Sequence, residues 1–541
     1  MSWLNLSLVS LFASLFLVAC SKEPSLSRVE QGNIDGVLHF GNGAEVQTLD
    51  PHLATAVNDN YIISSLFEGL VSRNPQTLEI IPGVAERWEI SEDRLTYTFY
   101  LRRNALWSNG DPVTAEDFRW SAQRMLDPIL ANPYEEIFNI IKNASAWRNG
   151  DIEDFSEVGV RVLDEYTIEY ELGSPDPNFL DWLDTQVFYP VHRDTLESFG
   201  SATDQLSQWT RAGNMVSNGA FNLVEWQINS HLRIEKSETY WDADSVRLNA
   251  AVFYPIENET TEERMFRDGQ LHVTSTVPIE KVPALIESNA PELRNHPWTG
   301  SYFYMLNTTR PPLDDVRVRQ ALNYATDREL IVESVMQGIV PPSNAYTPLG
   351  TPGYQPPDIY NFDPDYARQL LAEAGYPSGE GMRTLELIYN TSEAHRRLAV
   401  ALQQMWMQEL GINVELANQE WKVYLDTTSN MNYDIARRGW ISNLVDPFSM
   451  IPTFITDGGN NQTGFSDPRY DEIALRDGNL AETPEERMAL TYEAEEILLQ
   501  AAPIVPLYTY TLRRLADTSV QGMPANIVGH INFSNIYLQA E

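Results

Sequence analysis

The only cysteine of the chain, Cys20, stands at the end of an apolar run, Leu4 to Ala19. A lone cysteine permits neither a disulfide nor a Cys-metal cluster within one chain. Whatever folds after it must therefore be held by buried apolar surface and hydrogen bonds. The means are present: 43% of residues are hydrophobic and 11% aromatic, outside the range of disordered or fibrous chains. At 541 residues the chain exceeds what one core comfortably serves, which predicts two or more lobes.

The run Leu4 to Ala19 is short for a membrane span and reads as a signal peptide over residues 1–19, although no Lys or Arg precedes it. Leu17-Val18-Ala19-Cys20 resembles the bacterial lipobox, which implies cleavage before Cys20 and lipidation of its sulfur. Residues 20–34 are polar and without periodicity, and are expected to form a tether. The implied location is the periplasm, with the lipid as the only membrane contact. With 76 acidic against 37 basic residues the formal charge is -39, which repels nucleic acid and anionic lipid.

Beyond the tether, Leu95, Tyr97, Phe99 and Leu101 alternate with polar neighbours, the period of a half-buried strand. Val160 and Val162, then Ile168, Tyr170 and Leu172, flank Asp164-Glu165 as a predicted hairpin. Later segments favour helices. One starts at Asp363-Pro364 and ends near Gly375. Another carries Leu398, Leu402, Met405 and Trp406 on one face and ends at Gly411, before a strand over Ile412 to Leu416. Thr483-Pro484-Glu485-Glu486 has the spacing of a capping box. The mixture predicts α/β lobes.

Catalytic signatures are missing. The eight histidines show no metal-ligand spacing, and no nucleophile elbow, Ser-x-x-Lys pair, Walker loop or dinucleotide fingerprint occurs. The expectation is a protein that is not an enzyme and carries no cofactor and no metal. A secreted hydrolase on the same scaffold, or a chaperone or adhesion lipoprotein, is the reading from another class.

Six segments point further. They are Gly43 to His52 (GAEVQTLDPH), Leu66 to Leu70 (LFEGL), Pro82 to Glu86 (PGVAE), Trp107 to Phe118 (WSNGDPVTAEDF), Asp315 to Leu322 (DVRVRQAL) and Leu371 to Tyr376 (LAEAGY). In this order they resemble the large periplasmic binding proteins of the oligopeptide and dipeptide importers, family 5 of the solute-binding proteins. The resemblance implies a two-lobed α/β periplasmic binding protein (type II, cluster C) with an extra domain in the first lobe. Domain I would take 35–68, 193–297 and 511–541, domain II 69–192, and domain III 298–510. It further implies a monomeric receptor that captures short peptides in a cleft and passes them to an ABC permease and its ATPase subunits.

Within the family, Tyr389-Asn390-Thr391-Ser392, Asn418 to Lys422 and Arg437-Arg438-Gly439-Trp440 are similar to the oligopeptide receptors. An extended peptide can be added as a strand, its backbone paired without regard to sequence. By resemblance that pairing uses Thr55-Ala56-Val57 and Gly439-Trp440. Tyr134, Trp421, Trp440 and Tyr510 would line the cleft with Asn390, and His395 and Arg437 would receive the peptide carboxylate. The amine end departs from the family: Asn443 stands where an aspartate usually takes the α-amino group. It can accept a hydrogen bond but supplies no charge, so Asp446 compensates or the ligand lacks a free amine. Blocked, cyclic or cell-wall-derived peptides would qualify, as would a non-peptide ligand such as a metal chelate or haem. The family's disulfide between positions matching Gly300 and Ile441 is absent, as are its Glu and Arg at Met305 and Thr428.

Overall fold

The computed structural model describes residues 26–419, 421–442, 444–481 and 483–539. Cys20 and Asn443 lie outside these residues, as does the side chain of Trp421.

The first described element overturns part of the expected tether. Helix α1 (Arg28–Asp35) is closed by a capping box in which Ser27 and Glu30 satisfy each other's backbone N–H groups. It is docked rather than loose. Val29 is buried and its N–H donates to the Gly269 carbonyl at 2.9 Å, and a Cβ on Gly32 would collide with the Val37 carbonyl at 2.4 Å. The folded body therefore includes the stretch from Ser27 to Ile34 that was expected to be tether.

Two sheets share the first core. One has strand order β1-β8-β7-β6: β1 (Val37–Gly41) runs parallel to β8 (Ala250–Tyr254), followed by β7 (His231–Lys236) and β6 (Phe221–Gln227). The other is antiparallel, in the order β2-β3-β5-β4, from β2 (Ala85–Ile90), β3 (Thr96–Leu101), β4 (Val160–Asp164) and β5 (Thr167–Glu171). Tyr97, Phe99 and Leu101 of β3 point inward as their alternation predicts, and β4 and β5 form the expected hairpin. Helix α2 (Val57–Leu66) buries Ile62, Ile63 and Leu66 against this core, and α3 (Ala115–Leu126) buries Phe118, Ala122 and Met125.

Residues of the opening segment act inside the lobe. The buried Asp50 carboxylate binds Arg124 through both guanidinium ends (3.0 and 2.6 Å), and His52 Nε2 lies 2.9 Å from the Tyr189 carbonyl. Burial alone would raise the Asp50 carboxyl, but the charge and hydrogen bonds of Arg124, joined by those of His52, together outweigh it and hold the group below the usual carboxylate range.

The second lobe is built on a five-stranded sheet of order β11-β10-β12-β9-β13. Its strands are β9 (Leu293–Leu306), β10 (Leu385–Asn390), β11 (Val414–Gln419), β12 (Ile435–Ile441) and β13 (Ile504–Leu515). Helix α4 (Pro364–Glu373) starts at an Asp363 cap, and α5 (Glu393–Leu410) stops at Gly411, whose φ of 71° suits glycine. Leu398, Leu402 and Trp406 of α5 are buried on one face of the sheet, and the Trp406 indole donates to the Leu322 carbonyl at 3.1 Å. Helix α6 (Trp421–Ser429) follows β11, and α7 (Pro484–Ala501) opens with Thr483 accepting the Glu486 N–H at 3.1 Å.

β9 and β13 are the longest strands and pair from Leu293↔Leu515 to Met305↔Ile504. The register shifts between Pro297 and Ser301, and again between Tyr302 and Phe303. Just past β13, Ala516 bridges Val273, which also bridges Phe40 of β1. This ribbon thus runs from the second-lobe sheet into the first lobe. Among the described residues no helix is long and apolar enough to cross a membrane.

Candidate functional site

β12 carries the sequence Ile-Ala-Arg-Arg-Gly-Trp-Ile, and its two edges differ. One edge pairs with β9 along the whole strand, from Leu306↔Ile435 to Gly300↔Ile441. The other pairs with β10 only at Leu387↔Ile435 and Ile388↔Ala436. From Arg437 onward that edge lies outside the ladder, apart from the Arg437 carbonyl, which accepts the Tyr424 hydroxyl. Backbone groups in such a position require partners, and an extended chain laid alongside provides them. Gly439 makes the opposite face accessible to an aromatic ring: a Cβ there would meet the Tyr510 hydroxyl at 2.3 Å.

Four tyrosines stand on one face, Tyr302 on β9 and Tyr508 and Tyr510 on β13, with Tyr304 beside Tyr302. The Tyr302 and Tyr508 rings stack at 4.8 Å, and Tyr510 meets Tyr302 edge-on at 6.1 Å. Arg437 lies over this wall. Its guanidinium carbon is 4.6 Å from the Tyr302 ring centre and its Nη2 donates to the Tyr510 hydroxyl at 2.7 Å. Its Nε is buried without a hydrogen-bond partner, and among the described residues no carboxylate lies within ion-pair distance. Burial opposes the charge, but the tyrosine oxygens around it outweigh that effect, and Arg437 remains a cation.

His395, in the first turn of α5, faces the same wall 5.8 Å from Tyr302. Burial, and after it the Arg437 charge, pushes its imidazole down to about 4. Nδ1 lies 3.2 Å from the Asn390 carbonyl, which can only accept, so Nδ1 carries the proton and Nε2 is bare at neutral pH. Asn390 and Gln419, register partners at the ends of β10 and β11, both hold buried side-chain oxygens without a partner, as does Ser301 on β9. Buried polar atoms are nearly always paired. Here three of them, on Arg437, Asn390 and Gln419, lie at the strand ends where the pairing of β10 with β12 stops, while Ser301 lies across the paired edge of β12.

The structure therefore brings together Asn390, His395, Arg437, Gly439 and Tyr510. Thr55 and Ala56 lead into α2, with Ala56 extended at its cap, and Val57 lines a cavity of about 120 Å³ together with Tyr61, Gln186 and Trp298. Trp298 stands 6.3 Å from Tyr510, which joins this cavity to the aromatic wall. Trp440 points to the other face of β12, packed on the second core cluster there, with Arg438 5.5 Å from its ring. Tyr134 packs on the first-lobe core instead, its N–H donating to Asn132. Asp446 is already engaged: it accepts Arg487 Nε at 2.7 Å and caps Phe448, so it is not a spare carboxylate for an ammonium group. Gly300 and Ile441 prove to be direct cross-strand partners.

Several residues of the site escape sequence reading. Arg438 reaches Met305 Sδ at 3.6 Å and donates to the Asn460 carbonyl and the Gln462 side chain, a guanidinium beside the position where the family's charge pair is lost. The signal was there: two adjacent arginines inside an otherwise apolar strand. Tyr302 and Tyr304, like Tyr508 and Tyr510, are spaced two apart, the strand period that puts each pair on one face.

Residues 79–462 match the model of the bacterial extracellular solute-binding proteins, family 5 Middle. The periplasmic oligopeptide-binding protein OppA of Salmonella typhimurium is 36% identical over 507 residues, which cover 92% of this chain and 91% of that protein. The periplasmic murein peptide-binding protein MppA of Escherichia coli is 34% identical over 490 residues, 89% of each. Among solved structures, Haemophilus influenzae OppA in complex with RPPGFSPFR superposes with a TM-score of 0.78 at 32% identity, covering 93% of this chain and 99% of that one. The unliganded open form of the murein tripeptide-binding MppA gives 0.78 at 33%, covering 93% and 97%.

Proposed function

For a chain that belongs to the bacterial extracellular solute-binding proteins of family 5, as this one does, we propose that the open edge of β12 is where it captures short peptides for an ABC importer. The observation that carries this reading is the edge itself, which among the described residues lies outside the ladder from Arg437 onward, with unpartnered polar atoms of Arg437, Asn390 and Gln419 at the strand ends there. A peptide laid along it would pair its backbone with Gly439 and Trp440, and Thr55-Ala56-Val57 would approach from the first lobe. Arg437 would receive the terminal carboxylate, assisted by His395. A charge-assisted bond to a carboxylate compensates a cation that otherwise has only neutral partners.

The amine end is weaker, because Asn443 offers an oxygen without charge and Asp446 is held by Arg487. This favours peptides whose amine is blocked or is not the main anchor. The lobes divide at 297/298 and 510/511, where the ribbon register is irregular. Closure about that ribbon is the signal for the permease and its ATPases, and a ligand drives it only by preferring the closed form. Cys20 anchors the monomer to the membrane by lipid, on the periplasmic side, and the protein binds without turnover.

Calorimetry with one peptide in four forms tests the reading: free, N-acetylated, C-amidated and both. C-amidation should weaken binding about 10- to 100-fold, the value of a charged hydrogen bond, and N-acetylation should change it little. Asn443→Asp should restore a preference for the free amine. Equal affinity for amidated and free carboxylates would remove Arg437 from the carboxylate role.

A further inference from the structure

Where the ribbon enters the first lobe, it carries a second arrangement, next to the cavity of Val57, Tyr61 and Trp298 and sharing Gly529, His530 and Ile531 with it. Arg294 of β9 and Arg514 of β13 are direct register partners, two like charges opposite each other on paired strands. Such a pair is destabilising unless something of opposite sign stands between its members. Arg514 is only 4% exposed. Its Nη2 donates to the Tyr61 hydroxyl at 3.2 Å, but Nε and Nη1 are buried with no hydrogen-bond partner. Only the Phe40 and Tyr61 rings, 5.9 and 5.7 Å away, meet its charge, and among the described residues no carboxylate lies within ion-pair distance of it.

Both arginines line one small cavity between the ribbon and the loop 523–531, along with the next cross-strand pair, His296 and Leu512. No Asp or Glu lines it, in a chain whose formal charge is -39. The loop is fixed close to the ribbon. Asn526 accepts the His530 N–H at 2.9 Å and donates to the His530 carbonyl at 2.8 Å and to the Pro75 carbonyl at 3.2 Å. Gly529, at φ 69°, permits the approach, since a Cβ there would meet Leu512 Cδ1 at 2.9 Å. The cavity, about 20 Å³, has room for one water-sized occupant, which needs roughly 10–15 Å³.

We propose that this cavity binds a single small monovalent anion of halide size, held by Arg514 and facing Arg294. A water molecule would fill the volume and accept the free N–H groups, but only an anion also balances a buried guanidinium. Bound there, it would hold the two strands together at the point where their charges repel.

The test uses the full folded chain without added peptide. Thermal unfolding is followed as chloride replaces gluconate at constant ionic strength, and crystals grown in bromide are examined for anomalous scattering. The expected results are a saturable, chloride-specific rise in Tm, its loss in Arg514→Gln, and a bromide peak beside the Arg514 guanidinium. If Arg514→Gln does not fold, Arg514→Lys takes its place and should shift the chloride midpoint to higher concentration. Equal melting in chloride and gluconate overturns the proposal; a bromide peak with no effect in solution would then mean an adventitious ion only. A water in place of bromide overturns it as well.

Discussion

At His395, burial and the Arg437 charge act in the same direction, both against the imidazolium, and a bound carboxylate would reverse that balance. The free imidazole is held near 4 by desolvation and by Arg437, so at neutral pH it is uncharged with Nε2 bare. A peptide carboxylate placed beside it would favour the imidazolium and raise its pKa in the complex. Affinity should then increase as the pH falls through the raised value, and level off only once the free form protonates as well, near 4. Calorimetry in buffers of different ionisation enthalpy should show net proton uptake on binding near pH 6, and His395→Gln should abolish it. No uptake in the parent protein would mean that the carboxylate lies elsewhere. His395 and Arg437 were legible because whole segments around them resemble a known receptor. Tyr134, expected in the cleft, packs on the first-lobe core while staying partly exposed, and an aromatic in a matching segment says nothing about which way its ring turns.

Among the elements, β12 shows how much a strand edge decides. Its pairing with β9 could not be read from the sequence, because register depends on contacts far along the chain. The pairing makes Gly300 and Ile441 neighbours, and a Cβ on Gly300 would lie 2.8 Å from Ile441 Cγ1 and 2.8 Å from Tyr510 Cδ2, so that ring must turn slightly aside. A Gly300→Cys, Ile441→Cys double variant removes that methylene contact and should oxidise to a disulfide. Thiol titration and the Tm with and without reductant would check it, the bond being worth about 2–4 kcal/mol. Free thiols under oxidising conditions would mean that the register is wrong. Helices α4, α5 and α7 were readable from caps and periodicity, because those signals are local. Helix α1 was missed although its capping box, Ser27 to Glu30, was in plain view. Only Val29 and Gly32 of its residues are buried, too few to produce an apolar stripe.

For the whole molecule, the two-lobed α/β architecture followed from length and from ordered segments, whereas the crossings expected at 297/298 and 510/511 rested on the resemblance alone. Peptide binding should draw the lobes together. Small-angle scattering should record a smaller radius of gyration with a saturating peptide than without, and no change for Arg437→Ala at the same peptide concentration. An unchanged radius in the parent protein would exclude closure as the signal. The -39 charge also favours separation of the lobes at low ionic strength, so the difference should be largest there.

The strands β9 and β13 run side by side and are hydrogen-bonded to each other on both sides of the register break between Pro297 and Ser301. Such a joint is a leaf spring rather than a ball joint. It bends and twists readily about one axis, since a two-stranded ribbon has wide freedom of twist, but it resists sideways shear, because sliding would break the ladder. If the lobes close as proposed, they would part and meet along one path, and the two halves of the binding surface would return to the same alignment each time.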